Sequence, residues 1–123
     1  MRKGLLASFV VLASISLPGF FSASDVSGTW DLTVVSQQDT ANPSVSLVQA
    51  GEKLSGTYRG RMGEHKLEGT VRGSEIRFVV TMRFQDQTFL VTYSGTAEED
   101  SMKGTVQFGD RGSGTWSAKR RSS

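Results

Sequence analysis

Apolar residues recur at every second position along most of the chain from Gly28 onward, with polar residues between them. The clearest run spans 76–84, where every even position is apolar and Arg77, Thr81 and Arg83 occupy odd positions. A period of two is typical of half-buried antiparallel strands. Seven further runs share this period, at 30–34, 45–47, 54–58, 67–71, 89–93, 102–108 and 116–118. The pattern therefore predicts eight strands, each with one apolar and one polar face.

Short polar segments connect the predicted strands. The segments 51–52, 73–74, 99–100 and 109–112 have the composition of tight turns, and 85–87 is a short polar turn. Only the first connection, 36–43, is long. Short links between consecutive strands predict an up-and-down meander, and eight such strands can close on themselves without leaving an edge. We therefore predict an all-β fold, an eight-stranded antiparallel up-and-down barrel.

A Gly-Thr dipeptide begins at Gly28, Gly56, Gly69, Gly95, Gly104 and Gly114. Its irregular spacing excludes a solenoid, which needs a fixed period. Inward-facing glycines allow a narrow barrel to coil sharply where a side chain would clash. Threonine suits the outer face, because β-branched side chains fit the pleat. The repeat is therefore interpreted as a device for bending strands.

The first 24 residues have a different composition from the rest. Arg2 and Lys3 precede the uncharged apolar run 5–17, Pro18 ends that run, and small residues at 22–24 follow. This order is typical of a secretory signal peptide, and we expect cleavage after residue 24. The alternative is an uncleaved membrane anchor, but the run is shorter than the roughly 20 residues of a comfortable span. The chain then consists of the signal 1–24 and one barrel domain, 25–123, without a stable membrane span.

Removal of the signal changes the charge balance. The chain has 14 basic and 12 acidic residues, and losing Arg2 and Lys3 leaves 12 of each. A neutral domain gives no general attraction to nucleic acid, so we expect no nucleic-acid partner. The absence of cysteine excludes a disulfide scaffold, a zinc finger and a thiol nucleophile, and the single histidine excludes a histidine-rich metal site. A secreted chain without disulfides indicates a bacterial secreted or periplasmic protein.

Gly28-Thr29-Trp30 opens the first predicted strand, and Lys119 and Arg120 end the last one. This pattern at the two ends of the predicted barrel resembles the calycin group, the lipocalins and avidins. In those families a Gly-x-Trp starts the barrel and a basic residue from the last strand packs over that tryptophan. The resemblance therefore implies that Lys119 or Arg120 forms a cation–π pair with Trp30 and closes that end.

The resemblance also implies a ligand site inside the barrel, at the end opposite Trp30. There the meander brings together the connections 36–43, 60–64, 85–87 and 109–112, with 36–43 as the candidate lid. The candidate ligand-binding residues are Ser36, Tyr58, Phe78, Met82, Phe84, Phe89, Tyr93 and Trp116. The candidate polar or anion-binding residues at the mouth are Arg59, Arg61, His65 and Arg111. Leu32 stands where avidins carry an inner-face asparagine, so we do not extend the resemblance to biotin.

Each candidate has a simpler alternative. The arginines are equally explained as solubilising turn residues, the tyrosines as core residues, and the interior as completely filled. No catalytic elbow, acid–base pair, phosphate loop or calcium loop occurs, so we expect no catalytic residue, no metal and no cofactor. The predicted function is binding of a small apolar or amphipathic molecule. The alternatives are a protein-interaction or inhibitor module that binds an envelope protein, and an isomerase that uses Tyr58 or His65.

Overall fold

The computed structural model describes residues 25–121, so the predicted signal peptide 1–24 lies outside the described residues. Within 25–121 the chain forms nine strands and no helix. The strands are β1 (Gly28–Val35), β2 (Thr40–Ala41), β3 (Ser44–Ala50), β4 (Lys53–Gly60), β5 (Gly63–Arg72), β6 (Glu75–Phe84), β7 (Gln87–Ala97), β8 (Ser101–Phe108) and β9 (Ser113–Arg120). A helix that could cross a membrane is absent from this part of the chain.

Eight of the nine strands form a closed antiparallel barrel in the order β1-β3-β4-β5-β6-β7-β8-β9. The barrel closes where β9 returns to β1, with Trp30 opposite Arg120 and Val35 opposite Thr115. This confirms the predicted all-β, eight-stranded, up-and-down barrel. The short strand β2 was not predicted; it lies within the 36–43 connection and pairs with the end of β1.

The inner face of the barrel is the predicted apolar face. Trp30 and Phe78 are completely buried, and none of the described residues is a buried polar or charged one. The exception on the predicted inner face is Phe84, which is 50% exposed. Its strand continues past the rim, because pairing of β5 with β6 ends at Leu67–Val80 and pairing of β7 with β8 begins at Val91–Phe108. Residues 81–90 therefore pair only with one another and form a projecting hairpin, in which Met82 is still buried at the base and the tip, 83–88, lies beyond the rim.

Arg120 and Trp30 close one end of the barrel. The guanidinium carbon of Arg120 lies 4.5 Å from the centroid of the Trp30 ring. The Trp30 indole N–H donates to the Val26 carbonyl at 2.9 Å. The Arg120 guanidinium donates to the Ser27 carbonyl at 2.6 Å and to the Glu99 carbonyl at 2.9 Å. Arg120, and not Lys119, therefore caps Trp30 and ties the segment that precedes β1 to the β7–β8 turn.

Five inward-facing glycines lie against the backbone of a neighbouring strand. A Cβ atom at these positions would lie 1.9–2.2 Å from a main-chain carbonyl oxygen of the adjacent strand. These glycines are Gly56, Gly69, Gly95, Gly104 and Gly114. All five precede a threonine in the Gly-Thr repeat. The repeat therefore marks the places where the strands coil too tightly to carry an inward side chain.

Candidate functional site

A cavity of about 460 Å³ opens at the end of the barrel opposite Trp30. We call it the inner chamber. Its walls are largely apolar and include Val34, Met82 and Val91, while Tyr58 and Tyr93 add two phenol groups. The 36–43 connection and the β4–β5 turn form its rim. The barrel is therefore open in its upper part, and the chamber is mainly an apolar space with a few polar groups.

Three aromatic residues that contact one another, Phe78, Tyr93 and Trp116, fill the barrel below the inner chamber. The rings of Phe78 and Tyr93 stack at a centroid distance of 4.7 Å. Trp116 packs edge-on against both rings, and its indole N–H donates to the Ser94 carbonyl at 3.2 Å. Tyr93 thus forms part of the chamber floor, whereas Phe78 and Trp116 lie beneath it and do not line the chamber. In this structure the two residues pack against each other and Tyr93, and their role as ligand contacts stays a prediction.

Tyr58 and Tyr93 are the polar groups that reach deepest into the chamber. Burial raises the pKa of Tyr93 far above its ordinary value, and the neighbouring Tyr58 hydroxyl raises it further. Burial also raises the pKa of Tyr58, although a hydrogen bond with Tyr93 and the positive charge of Arg61 oppose the shift. Both phenols therefore stay protonated at neutral pH. The chamber offers neutral hydrogen-bonding groups and no phenolate.

The β4–β5 turn leaves room for the Tyr58 ring. Pairing of Gly60 with Gly63 closes this turn. A Cβ atom on Gly60 would lie 3.0 Å from the Tyr58 hydroxyl oxygen, so the missing side chain provides the space that the phenol occupies. Met62 at the tip of the turn is 47% exposed and lines the chamber. The turn therefore shapes both the wall and the rim of the chamber.

Arg61 fastens the 36–43 connection to the β4–β5 turn. Its guanidinium donates to the Asp39 carboxylate at 2.6 Å and to the Thr40 carbonyl at 3.0 Å. The Ser36 amide donates to the Asp39 carbonyl at 2.9 Å, so the connection is itself hydrogen-bonded. The hydrogen bond from Arg61 holds the pKa of Asp39 below its ordinary value. Arg61 therefore acts as a latch for the candidate lid, and its charge is already paired.

Replacing Arg61 by glutamine is expected to loosen this connection. Hydrogen exchange at the Ser36 amide should accelerate by a few fold at most, because the ion pair that is lost is exposed and screened by solvent. The same loosening is expected in the unchanged protein on acidification. The contribution of Asp39 is present above the ordinary carboxyl pKa and is lost as the pH falls through the lowered value. Hydrogen exchange followed by NMR measures both effects.

Arg59→Gln is the matched control for the latch, because Arg59 is also at this end of the barrel and also paired. Its partner is Glu64, at 2.5 Å, and neither residue contacts the 36–43 connection through a hydrogen bond. Exchange at Ser36 should be unchanged in Arg59→Gln. Equal protection of Ser36 in both variants would show that Arg61 is not a latch.

A second cavity of about 470 Å³ lies directly outside the inner chamber. We call it the vestibule. It shares Ser36, Met62, Phe89 and Phe108 with the chamber, so these residues lie on the boundary between the two spaces. The vestibule adds the polar residues Gln37, Gln38, Arg111 and Ser113. The guanidinium carbon of Arg111 lies 5.4 Å from the centroid of the Phe89 ring.

The structure separates the remaining predicted mouth residues from the cavities. Arg59 pairs with Glu64 and lines neither cavity. His65 is half-buried, and its Nε2 lies 2.9 Å from the Met62 carbonyl oxygen. It lines a groove along β5, β6 and β7 and not the chamber, although its ring lies 6.3 Å from that of Tyr58. Phe84 lies exposed on the projecting hairpin, because its strand has already passed the rim. The structure therefore does not bring Arg59, His65 and Phe84 together with the residues that line the two cavities.

Several lining residues were missed by the sequence analysis. Asp39, Asn42 and Pro43 reach the chamber because the unpredicted strand β2 folds their connection back over the rim. Met62 did carry a readable signal, since it is an apolar residue in a two-residue turn between glycines. An apolar residue in such a turn does not belong to the buried face of a strand, so it is a candidate for contact with a ligand.

Comparisons of this chain with protein-family models, with curated proteins and with solved structures find no match. What the site can do is therefore inferred from its own residues. Groups of three or more potential metal ligands are absent from residues 25–121. The two cavities instead combine apolar walls, two neutral phenols, the paired charges of Arg61 and Asp39, and the Arg111 guanidinium. This set is suited to reversible binding of a partly apolar molecule.

Proposed function

We propose that this protein binds a small apolar or amphipathic molecule in the inner chamber. The observation that carries the proposal is the chamber itself, whose volume of about 460 Å³ falls within the range of roughly 300–1,000 Å³ found for ligand pockets. A ligand there gains about 25 cal/mol for each Å² of apolar surface removed from water. Tyr58 and Tyr93 supply hydrogen bonds that orient a polar atom of the ligand.

The proposal includes a calycin-like fold and a secreted or periplasmic location in a bacterium. The Trp30–Arg120 cap at the closed end supports the likeness to lipocalins and avidins, because it matches the closure that the Gly-x-Trp motif implies. The composition of residues 1–24 supports export. The chain lacks cysteine, so its stability outside the cytoplasm would come from closure of the sheet and not from disulfide bonds.

The proposed binding is not catalytic. An isomerase that used Tyr58 as a base would need the phenolate near neutral pH, whereas burial raises the pKa of Tyr58. His65 does not line the chamber; its ring lies 6.3 Å from the Tyr58 ring and outside the cavity lining. Neither residue therefore supports acid–base chemistry on a molecule held in the chamber.

Filling the chamber with a larger side chain is expected to abolish ligand binding. Val91 is buried on the inner face and lines the chamber, so Val91→Phe places an aromatic ring in the open space. The fluorescent probe N-phenylnaphthylamine is apolar and uncharged, and its emission rises on transfer from water to an apolar site. We expect the unchanged protein to bind it and Val91→Phe to bind it at least about tenfold more weakly, as loss of about 1.4 kcal/mol implies.

Val48→Phe is the matched control, because Val48 is 59% exposed on the barrel surface. It should bind the probe like the unchanged protein, and thermal melting should show that both variants are folded. Probe binding that is unaffected by Val91→Phe would contradict a site in the chamber. No probe binding by the unchanged protein would contradict the proposed function altogether.

The projecting hairpin favours a second candidate function, a non-catalytic protein-interaction or inhibitor module of the cell envelope. Phe84 and Leu90 on this hairpin are 50% and 51% exposed. Exposed apolar residues beside strand segments that lack neighbours are typical of docking surfaces. If the unchanged protein fails to bind the apolar probe, this second function becomes the favoured one.

A further inference from the structure

We infer that the ligand is an amphipathic monoanion, whose apolar tail occupies the inner chamber and whose charged head lies in the vestibule beside Arg111. This inference rests on the proposed function and adds the chemical class of the ligand. Three features of the open end carry it: the continuity of the two cavities, the difference in their linings, and the pairing of the neighbouring charges.

The inner chamber and the vestibule form a continuous path with a change of polarity along it. They share four lining residues, among them Met62 and Phe89 at the boundary. Inside that boundary the walls are formed by Val34, Met82 and Val91, with the mutually paired Asp39 and Arg61 at the rim. Outside it lie polar side chains and the Arg111 guanidinium. A molecule that spans both spaces therefore meets apolar walls at one end and hydrogen-bonding groups at the other. That is the complement of an amphipathic molecule.

Of the two cations that line the cavities, Arg61 and Arg111, only Arg111 has no acidic partner in the part of the chain that the structure describes. Arg59 is paired with Glu64 and Arg61 with Asp39, whereas the ion pairs within residues 25–121 do not include Arg111. Asp110 precedes Arg111 in the β8–β9 turn without forming an ion pair with it. The positive charge of Arg111 is therefore available to a bound anion.

Phe89 holds the Arg111 guanidinium at the boundary between the two cavities. The contact at 5.4 Å places the cation against the face of a ring that lines both spaces. A turn arginine that served only solubility would not need to fold back onto an aromatic ring at a cavity mouth. The stacked position leaves the guanidinium edges free to donate to an oxygen anion, which a guanidinium matches in geometry.

The charge balance around the vestibule specifies one negative charge. The vestibule lining supplies one cation, Arg111, together with the uncharged donors Gln37, Gln38 and Ser113. Asp39, at the rim of the chamber, is neutralised by Arg61. A single guanidinium compensates a carboxylate, whereas a phosphate monoester would keep a second charge without a partner. A fatty-acid-like carboxylate therefore fits better than a neutral alcohol or a dianion.

Isothermal titration calorimetry with three ligands of equal tail length tests the inference: decanoate, decanol and decyl phosphate, each below the concentration at which it forms micelles. We expect the unchanged protein to bind decanoate about fivefold more tightly than decanol. This ratio corresponds to the free energy of about 1 kcal/mol that one exposed charge pair contributes. Decyl phosphate should bind no more tightly than decanoate. Arg111→Gln should bring decanoate to the affinity of decanol and leave decanol unchanged.

Arg83→Gln is the matched control, since Arg83 lies on the projecting hairpin and lines neither the chamber nor the vestibule. It should keep the preference for decanoate. Equal binding of decanoate and decanol by the unchanged protein would overturn the inference, as would an unchanged preference in Arg111→Gln. In both cases binding of decanol would still support the chamber as a site. Failure of all three ligands to bind would instead contradict the proposed function.

Discussion

Replacing Trp30 by alanine is expected to lower the free energy of unfolding by about 3–5 kcal/mol, as truncation of a large buried aromatic residue does. Trp30 is completely buried, donates a hydrogen bond to the Val26 carbonyl and lies under the Arg120 guanidinium. Its removal leaves a cavity at the closed end and removes the surface on which Arg120 stacks. Urea unfolding followed by circular dichroism measures the loss.

Trp30→Phe separates the packing of the ring from its other contacts. It keeps an aromatic face for Arg120 and loses the indole N–H, so we expect a smaller loss than for alanine. Arg120→Met should cost less in the Trp30→Ala background than in the unchanged protein, because residues in contact are energetically coupled. A loss below about 1 kcal/mol for Trp30→Ala would contradict the assignment of Trp30 as the cap of the barrel.

The fold could be predicted from the sequence because alternation is a local property. In a strand the side chains point to opposite faces in turn, so residues such as Ile76, Phe78 and Val80 identify their common face without any knowledge of the neighbouring strands. The short connections then allow only consecutive antiparallel pairing. The closing pair of Trp30 with Arg120 follows, because in a closed meander the last strand returns beside the first.

The height of a residue along the barrel could not be predicted in the same way. Phe78, Met82 and Phe84 share one face of one strand but lie at different levels. Phe78 lies below the chamber, Met82 lies in its wall, and Phe84 lies beyond its rim. Their levels depend on how far the strands are staggered against one another, which is set by the closure of the whole sheet. The sequence therefore predicted which aromatic residues face inward, but not which of them meet the cavity.

The contact between Arg61 and Asp39 could not be predicted from the sequence for a related reason. Arg61 and Asp39 lie 22 positions apart, and their contact depends on strand β2, which consists of Thr40 and Ala41. Two residues are too few to show a period. Likewise, that Arg111 has no acidic partner among residues 25–121 becomes evident only when the partners of Arg59 and Arg61 are known. Charge pairing across turns is a property of the assembled mouth, and composition alone treats these arginines as equivalent.

Gly104→Ala is expected to cost about 4 kcal/mol or more, among the largest effects of single substitutions. Gly104 lies opposite Gly95 in the β7–β8 pair. A Cβ atom on Gly104 would lie 1.9 Å from the Ser94 carbonyl oxygen and 2.5 Å from the Gly95 Cα. These are backbone atoms, so no rotation of a side chain can relieve the clash, and the two strands must separate. Urea unfolding gives the loss of stability.

Gly73→Ala distinguishes this close approach from the general effect of replacing glycine. Gly73 lies in the β5–β6 turn with φ of 59° and has nothing within 4 Å of the position of an added Cβ. Its substitution should cost only the roughly 1–2 kcal/mol of a left-handed backbone. Equal losses for the two variants would mean that the strands at Gly104 can move apart at little cost. A larger loss for Gly104→Ala is expected, because the Gly95–Gly104 pair lets two strands approach closely beside the part of the barrel, below the chamber, that Trp116 and its aromatic neighbours fill.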